Sequence, residues 1–159
     1  MKNKFIIYLK LKLSRFGLFW LYNFCYIAIS VMMRKKQKYE LEYSMNTSPE
    51  ILYTRLSSPG GLSEWFADNV NLDGNLYTFF WSKTREQAKV LIKKENKLIR
   101  FHWMEDKDSK SYFEFKITED ELTGDVSLVI TDFAVEDEKK DSIDLWNKQI
   151  AELKHVIGL

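Results

Sequence analysis

The stretch YELEYSM, residues 39–45, alternates strictly: Tyr39, Leu41, Tyr43 and Met45 fall on one face, Glu40, Glu42 and Ser44 on the other. That period predicts a half-buried strand. After Asp68 the same period returns in LYTFFW (76–81), AKVLIK (88–93), KLIRFHW (97–103), SYFEFKIT (111–118) and DVSLVITDF (125–133), with a further short strand expected near Asn69 to Leu72. The connectors SKTRE, KENK, EDKDSK and EDELTGD are polar and of hairpin length, which predicts an antiparallel meander. Parity assigns Tyr77, Phe79 and Trp81 inward, then Ala88, Val90 and Ile92, then Ile99, Phe101 and Trp103. Phe113, Phe115 and Ile117 follow, then Val126, Leu128 and Ile130. Glu40, Glu42 and Glu114 take the outward parity.

Two segments carry a helical period instead. In NTSPEILYTRL, Thr47 with Glu50 offers a capping box, and Ser48 before Pro49 offers an N-cap with a first-turn proline, so a short helix should end near Leu56. Ser58 and Pro59 repeat the signal, and Leu62, Trp65 and Phe66 line one face of a second short helix. Gly60 and Gly61 between them suit a corner where chains approach closely. At the chain's end Ile143, Trp146, Ile150, Leu153 and Ile157 step by three and four, the stripe of one long amphipathic helix. Asp137, Glu138 and Asp141 favour its start through the helix dipole, and Gly158 suits its end.

Residues 1–33 do not share these patterns. Phe16 to Met33 holds no charge and would rise ~27 Å as a helix, close to the ~30 Å of a bilayer core. A membrane anchor, a signal peptide and a false upstream start before Met32 or Met33 all fit this segment, with basic clusters on both sides giving no orientation. The third reading makes a cytoplasmic protein; the first tethers it to a membrane. Residues 34–159 are expected to form a single domain, the size one core supports. Of the chain's 24 Lys and Arg, five precede residue 33, leaving 19 against all 23 acids in the remainder. That acidic balance argues against nucleic-acid binding. The single cysteine, Cys25, excludes an intrachain disulfide.

The elements in order resemble the helix-grip fold of the START-like and pollen-allergen-like (SRPBCC) superfamily. The small bacterial branch akin to the activators of heat-shock-protein ATPase looks nearest. The resemblance rests on SPEILYTRLSSPGGLSEWF, the strand FHW, YFEFKIT and the closing LWNKQIAEL, and covers residues 38–158. It implies an α+β domain whose curved antiparallel sheet wraps a long C-terminal helix, with two short helices after the first strand. It also implies a cavity between sheet and helix that in many relatives holds a lipid, sterol, polyketide or other apolar molecule and in others is filled.

Catalytic and metal chemistry find little purchase. His102 and His155 are the only histidines, and a metal centre needs several convergent ligands, so no metal site or cofactor is expected. PGG lacks the lysine and spacing of a phosphate loop. The inward polar groups are the phenols Tyr39, Tyr43 and Tyr77, and no inward acid is assigned. The candidate ligand-binding residues are therefore aromatic: Trp65, Phe66, Tyr77, Phe79 and Trp81, with Trp103, Phe113, Phe115 and Trp146. They either line an apolar pocket or fill a small core. Three function classes follow: a noncatalytic binder of a small apolar ligand, a protein-interaction module modulating a chaperone or ATPase partner, and a cavity enzyme of the cyclase type.

Overall fold

A computed structural model describes residues 35–159, of which Lys36–Leu159 form a compact unit. The anchor, signal and false-start readings of residues 1–33 lie outside the described residues. The order is β1 (Gln37–Met45), α1 (Pro49–Ser57), α2 (Pro59–Leu62), then β2 (Asn69–Asp73), β3 (Leu76–Trp81), β4 (Thr84–Lys94), β5 (Leu98–Trp103), β6 (Phe113–Glu119) and β7 (Val126–Ala134). A 3₁₀ turn at Glu136–Glu138 leads into α3 (Lys139–Val156). All seven strands form one antiparallel sheet in the order β1-β7-β6-β5-β4-β3-β2, so the meander runs from β2 to β7 and β1 joins at the far side of β7. This is the helix-grip arrangement expected from the sequence.

The cap signals resolve in favour of the serines. Ser48 caps α1 by accepting from the Ile51 amide, while the Ser58 hydroxyl serves two helices at once. It donates to the Thr54 carbonyl at 2.7 Å, closing α1, and accepts from the Gly61 amide at 3.0 Å, opening α2. A helix end leaves carbonyls without partners, and here core aromatics take them. The Trp65 indole donates to the Arg55 carbonyl at 3.0 Å and the Tyr77 phenol to that of Ser57 at 2.6 Å. The corner is consequently tied to the core from both sides. At the other end of the chain α3 stops in a Schellman motif: the Leu159 amide bonds to the Lys154 carbonyl, that of Gly158 to the His155 carbonyl, and Gly158 has φ +81°.

The core collects the predicted stripe and faces. Trp146, Ile150 and Leu153 of α3 are buried against the sheet, as are Phe79, Phe101, Phe115, Leu128 and Ile130. One assignment fails. The β4–β5 pairing shifts between Val90 and Ile92, so that Ile92 opposes Arg100 and Lys93 opposes Ile99. The extra residue is Leu91, half exposed at 50%. A bulge inserts one residue into one strand, and a one-residue slip reverses every face beyond it. Ile92 is therefore on the outer face with Arg100, not inward.

Glu114 keeps its outward parity but is buried, paired with Arg100 at 2.7 Å, and the Arg100 guanidinium lies 4.0 Å from the centroid of the Tyr112 ring. Outward parity on this sheet is thus not the same as exposure.

Candidate functional site

Strands β3, β5 and β7 run the same way, since each is separated from the next by one antiparallel neighbour. Their C-terminal ends therefore meet at one end of the sheet. Trp81 closes β3, Trp103 closes β5, and Asp132 stands near the end of β7. The helix α3 crosses this end with Ser142, Leu145, Trp146 and Gln149, positions one helical turn or two apart and so on a common face. Between helix and strand ends lies a cleft of about 420 Å³, with Phe66, Trp81, Trp103 and Trp146 as its aromatic wall.

The nine candidate residues fall into three groups. Phe66, Trp81, Trp103 and Trp146 line the cleft. Tyr77, Phe79, Phe113 and Phe115 lie behind them, each 1% exposed or less, locked into a lattice of rings. Phe101 and Phe113 stack at 4.8 Å between centroids, and Trp103 stacks on Phe113 at 4.7 Å. Trp65 is buried beside Phe66 and edges a second, adjoining depression of about 340 Å³ that shares Phe66, Trp81 and Gln149 with the first. Such ring contacts add a modest amount each to the area they bury. They position the cleft wall from behind.

Asp132 is the residue the parity argument missed. It continues the inward series Val126, Leu128, Ile130, which stopped one step short. Its Oδ2 accepts from the Trp146 indole at 2.8 Å and from the Tyr39 hydroxyl at 3.2 Å, and its Oδ1 from the Phe133 amide at 2.7 Å. Tyr39 in turn shares a 2.6 Å hydrogen bond with Ser142. An inward acid is therefore present, contrary to the sequence reading. Burial pushes the Asp132 carboxyl above its ordinary value, opposed by the Trp146, Phe133 and Tyr39 donors. Burial, helped by the charge of Asp132, likewise pushes the Tyr39 phenol up to about 12.

The other two inward phenols satisfy neighbours: Tyr43 donates to Asn147 at 2.7 Å and Tyr77 to the Ser57 carbonyl. His102 contacts the Ser111 carbonyl at 2.8 Å through Nδ1. Among the described residues no group of three or more His, Cys, Asp or Glu converges on a metal position, and no helix is long and apolar enough to cross a membrane.

Because burial raises the Asp132 carboxyl, it makes the stability of the fold depend on pH. A group protonated more readily when folded contributes stability that is complete below its unfolded pKa and is lost as pH rises through its folded one. The wild type should therefore lose stability relative to Asp132→Asn as pH rises from 4 to 7.5. Denaturant melts at both values test this, and a difference that stays flat or narrows would show the carboxylate to be as well solvated as in the unfolded chain.

The family model of the START-like superfamily domain matches residues 33–159. The chain belongs to the START-like superfamily. A protein from Bacteroides fragilis, solved in solution by NMR, is 42% identical over 79% of this chain and 93% of its own, with a TM-score of 0.58. The Aha1 dimer from Colwellia psychrerythraea shares 16% identity, covering 76% of this chain and 92% of that one at a TM-score of 0.59. CalU16 from Micromonospora echinospora shares 11%, covering 77% and 74% at 0.60. The last two are likenesses of fold. No curated protein matches the chain. In this START-like domain the cleft lies between the sheet end and the C-terminal helix.

Proposed function

We propose that this START-like domain is a noncatalytic binder of a small apolar molecule, held in the cleft between α3 and the ends of β3, β5 and β7. The observation that carries the reading is the wall of Phe66, Trp81, Trp103 and Trp146 around about 420 Å³, with Ser142, Gln149 and Asp132 as polar handles. An apolar concavity with a few polar groups is the usual form of a small-molecule site. Trp81 is fixed for this role by its indole, which donates to the Phe66 carbonyl at 2.8 Å.

Three of the chain's tryptophans stand in the cleft wall, so titration with neutral 1-octanol should change intrinsic fluorescence saturably. Trp103→Ala should weaken that binding at least several-fold, because Trp103 is half-buried at the wall and contributes ring area there. Linear, unsaturable quenching by a range of neutral apolar probes would overturn the reading.

One observation favours a second reading, a cavity enzyme: a carboxyl raised by burial stands in the cleft wall beside a phenol, an arrangement suited to proton transfer. Recovery of a bound compound chemically altered by the wild type and unaltered by Asp132→Asn would replace the binder with the enzyme.

A further inference from the structure

The charged residues that line the cleft are all acids. Its wall includes Asp132 and Glu86 and no Lys, Arg or His. The adjoining depression, which shares Phe66 and Trp81 with it, adds Glu64, Asp68 and Glu152 and again no basic residue. Two of these five acids are already engaged, Glu64 with Arg55 and Asp68 with the Ser82 amide at 2.6 Å. Among the described residues Asp132, Glu86 and Glu152 have no salt-bridge partner. Lys36, whose field reaches Asp132, is paired with Asp106 at 2.5 Å.

An ionised carboxylate offers about four acceptor positions. Asp132 uses three of them, on Trp146, Tyr39 and Phe133. One position remains on a group that burial disfavours as an anion. Glu86 opposes Phe79 across the β3–β4 pair and so shares the inward face with it. The tryptophans complete the environment: Trp81 and Trp103, 6.4 Å apart between centroids and inclined at 53°, form two sides of a corner. The faces of indole rings attract cations. An anionic head such as a fatty-acid carboxylate would meet repulsion from the same wall and find no base to neutralise it.

We propose that the molecule bound in this cleft is an organic cation, an amine or quaternary ammonium on an apolar body, with its charged head between Asp132, Glu86 and the Trp81–Trp103 corner. The proposal rests on the binding reading above and names the chemistry of its ligand.

Three octyl compounds of matched length separate the two. Octyltrimethylammonium should bind at least ten-fold more tightly than 1-octanol, equivalent to about 1.4 kcal/mol, and octanoate more weakly than either. Glu86→Gln and Asp132→Asn should each reduce several-fold the ratio of the cation's affinity to that of 1-octanol, both measured on the same variant. Glu86 is exposed, so its variant tests the charge even if Asp132→Asn proves poorly folded. Equal affinity for cation and alcohol, or an advantage that survives both substitutions, would overturn the cationic ligand and leave the apolar binder standing. No saturable binding of any of the three would remove the binder itself.

Discussion

Trp146→Ala should destabilise the domain by about 3 to 5 kcal/mol, a large share of the total for a chain of this size. Trp146 is 6% exposed, its ring stacked on Phe66 at 5.9 Å and edge-on to Phe115 at 5.7 Å. Deleting it removes an aromatic contact of α3 with the sheet and also takes a donor from the half-buried Asp132 carboxylate. The two losses are compared through Trp146→Phe, which keeps a six-membered aromatic ring and removes the indole N–H together with a smaller part of the ring area. That variant should cost about 1 to 2 kcal/mol, the range for a buried acceptor left short of a partner. Urea melts of both would decide. A loss below about 1 kcal/mol for the alanine variant would mean that α3 is not seated in the sheet as described.

The second large effect is expected at a residue with no side chain. A Cβ built on Gly61 would stand 2.5 Å from the Thr54 carbonyl oxygen and 2.7 Å from the Arg55 Cα. Both are backbone atoms of α1, so no side chain can swing aside. Gly61→Ala must push α1 and α2 apart, and with them the Ser58 hydroxyl that joins the helices, at a cost of about 3 kcal/mol. Gly60 has nothing within 4 Å of the same position. Gly60→Ala should therefore leave the melting temperature unchanged or raise it slightly by restricting the unfolded chain. If the two alanine variants melt alike, the helix contact is looser than its geometry.

Of the two glycines in SSPGGL, then, only one answers to the close approach that the sequence suggested. Nothing in the local pattern distinguishes them, because the distinction lies in how α2 folds back over α1. The same limit explains Ile92. Alternation in AKVLIK is legible, but the bulge at Leu91 is set by pairing with β5, and no composition signal marks it. Asp132 is a different case: its parity was readable from Val126, Leu128 and Ile130. What could not be read was the convergence of Trp146 Nε1 and Tyr39 OH upon it, which brings together residues from β1, β7 and α3. The aromatic set was legible as a set. Its division into buried lattice and cleft wall depends on strand direction, because Trp81 and Trp103 end strands that run the same way, whereas Phe79 and Phe115 sit mid-strand.

The strand order also governs when the domain can be finished. Gln37–Met45 opens the described fold, yet its only neighbour in the sheet is β7, with Gln37 opposite Ala134 and Met45 opposite Val126. Pairing across so much intervening chain is slow to form. During synthesis β1 emerges first and waits, while β2 to β6 can assemble as successive hairpins. Until β7 leaves the ribosome, the alternating face of Tyr39, Leu41, Tyr43 and Met45 has no partner strand, and a nascent chain in this interval exposes both an unpaired edge and an apolar stripe. Truncations ending before Val126 should consequently be the aggregation-prone species, whereas chains that reach the end of α3 can both pair the strand and cover its apolar face.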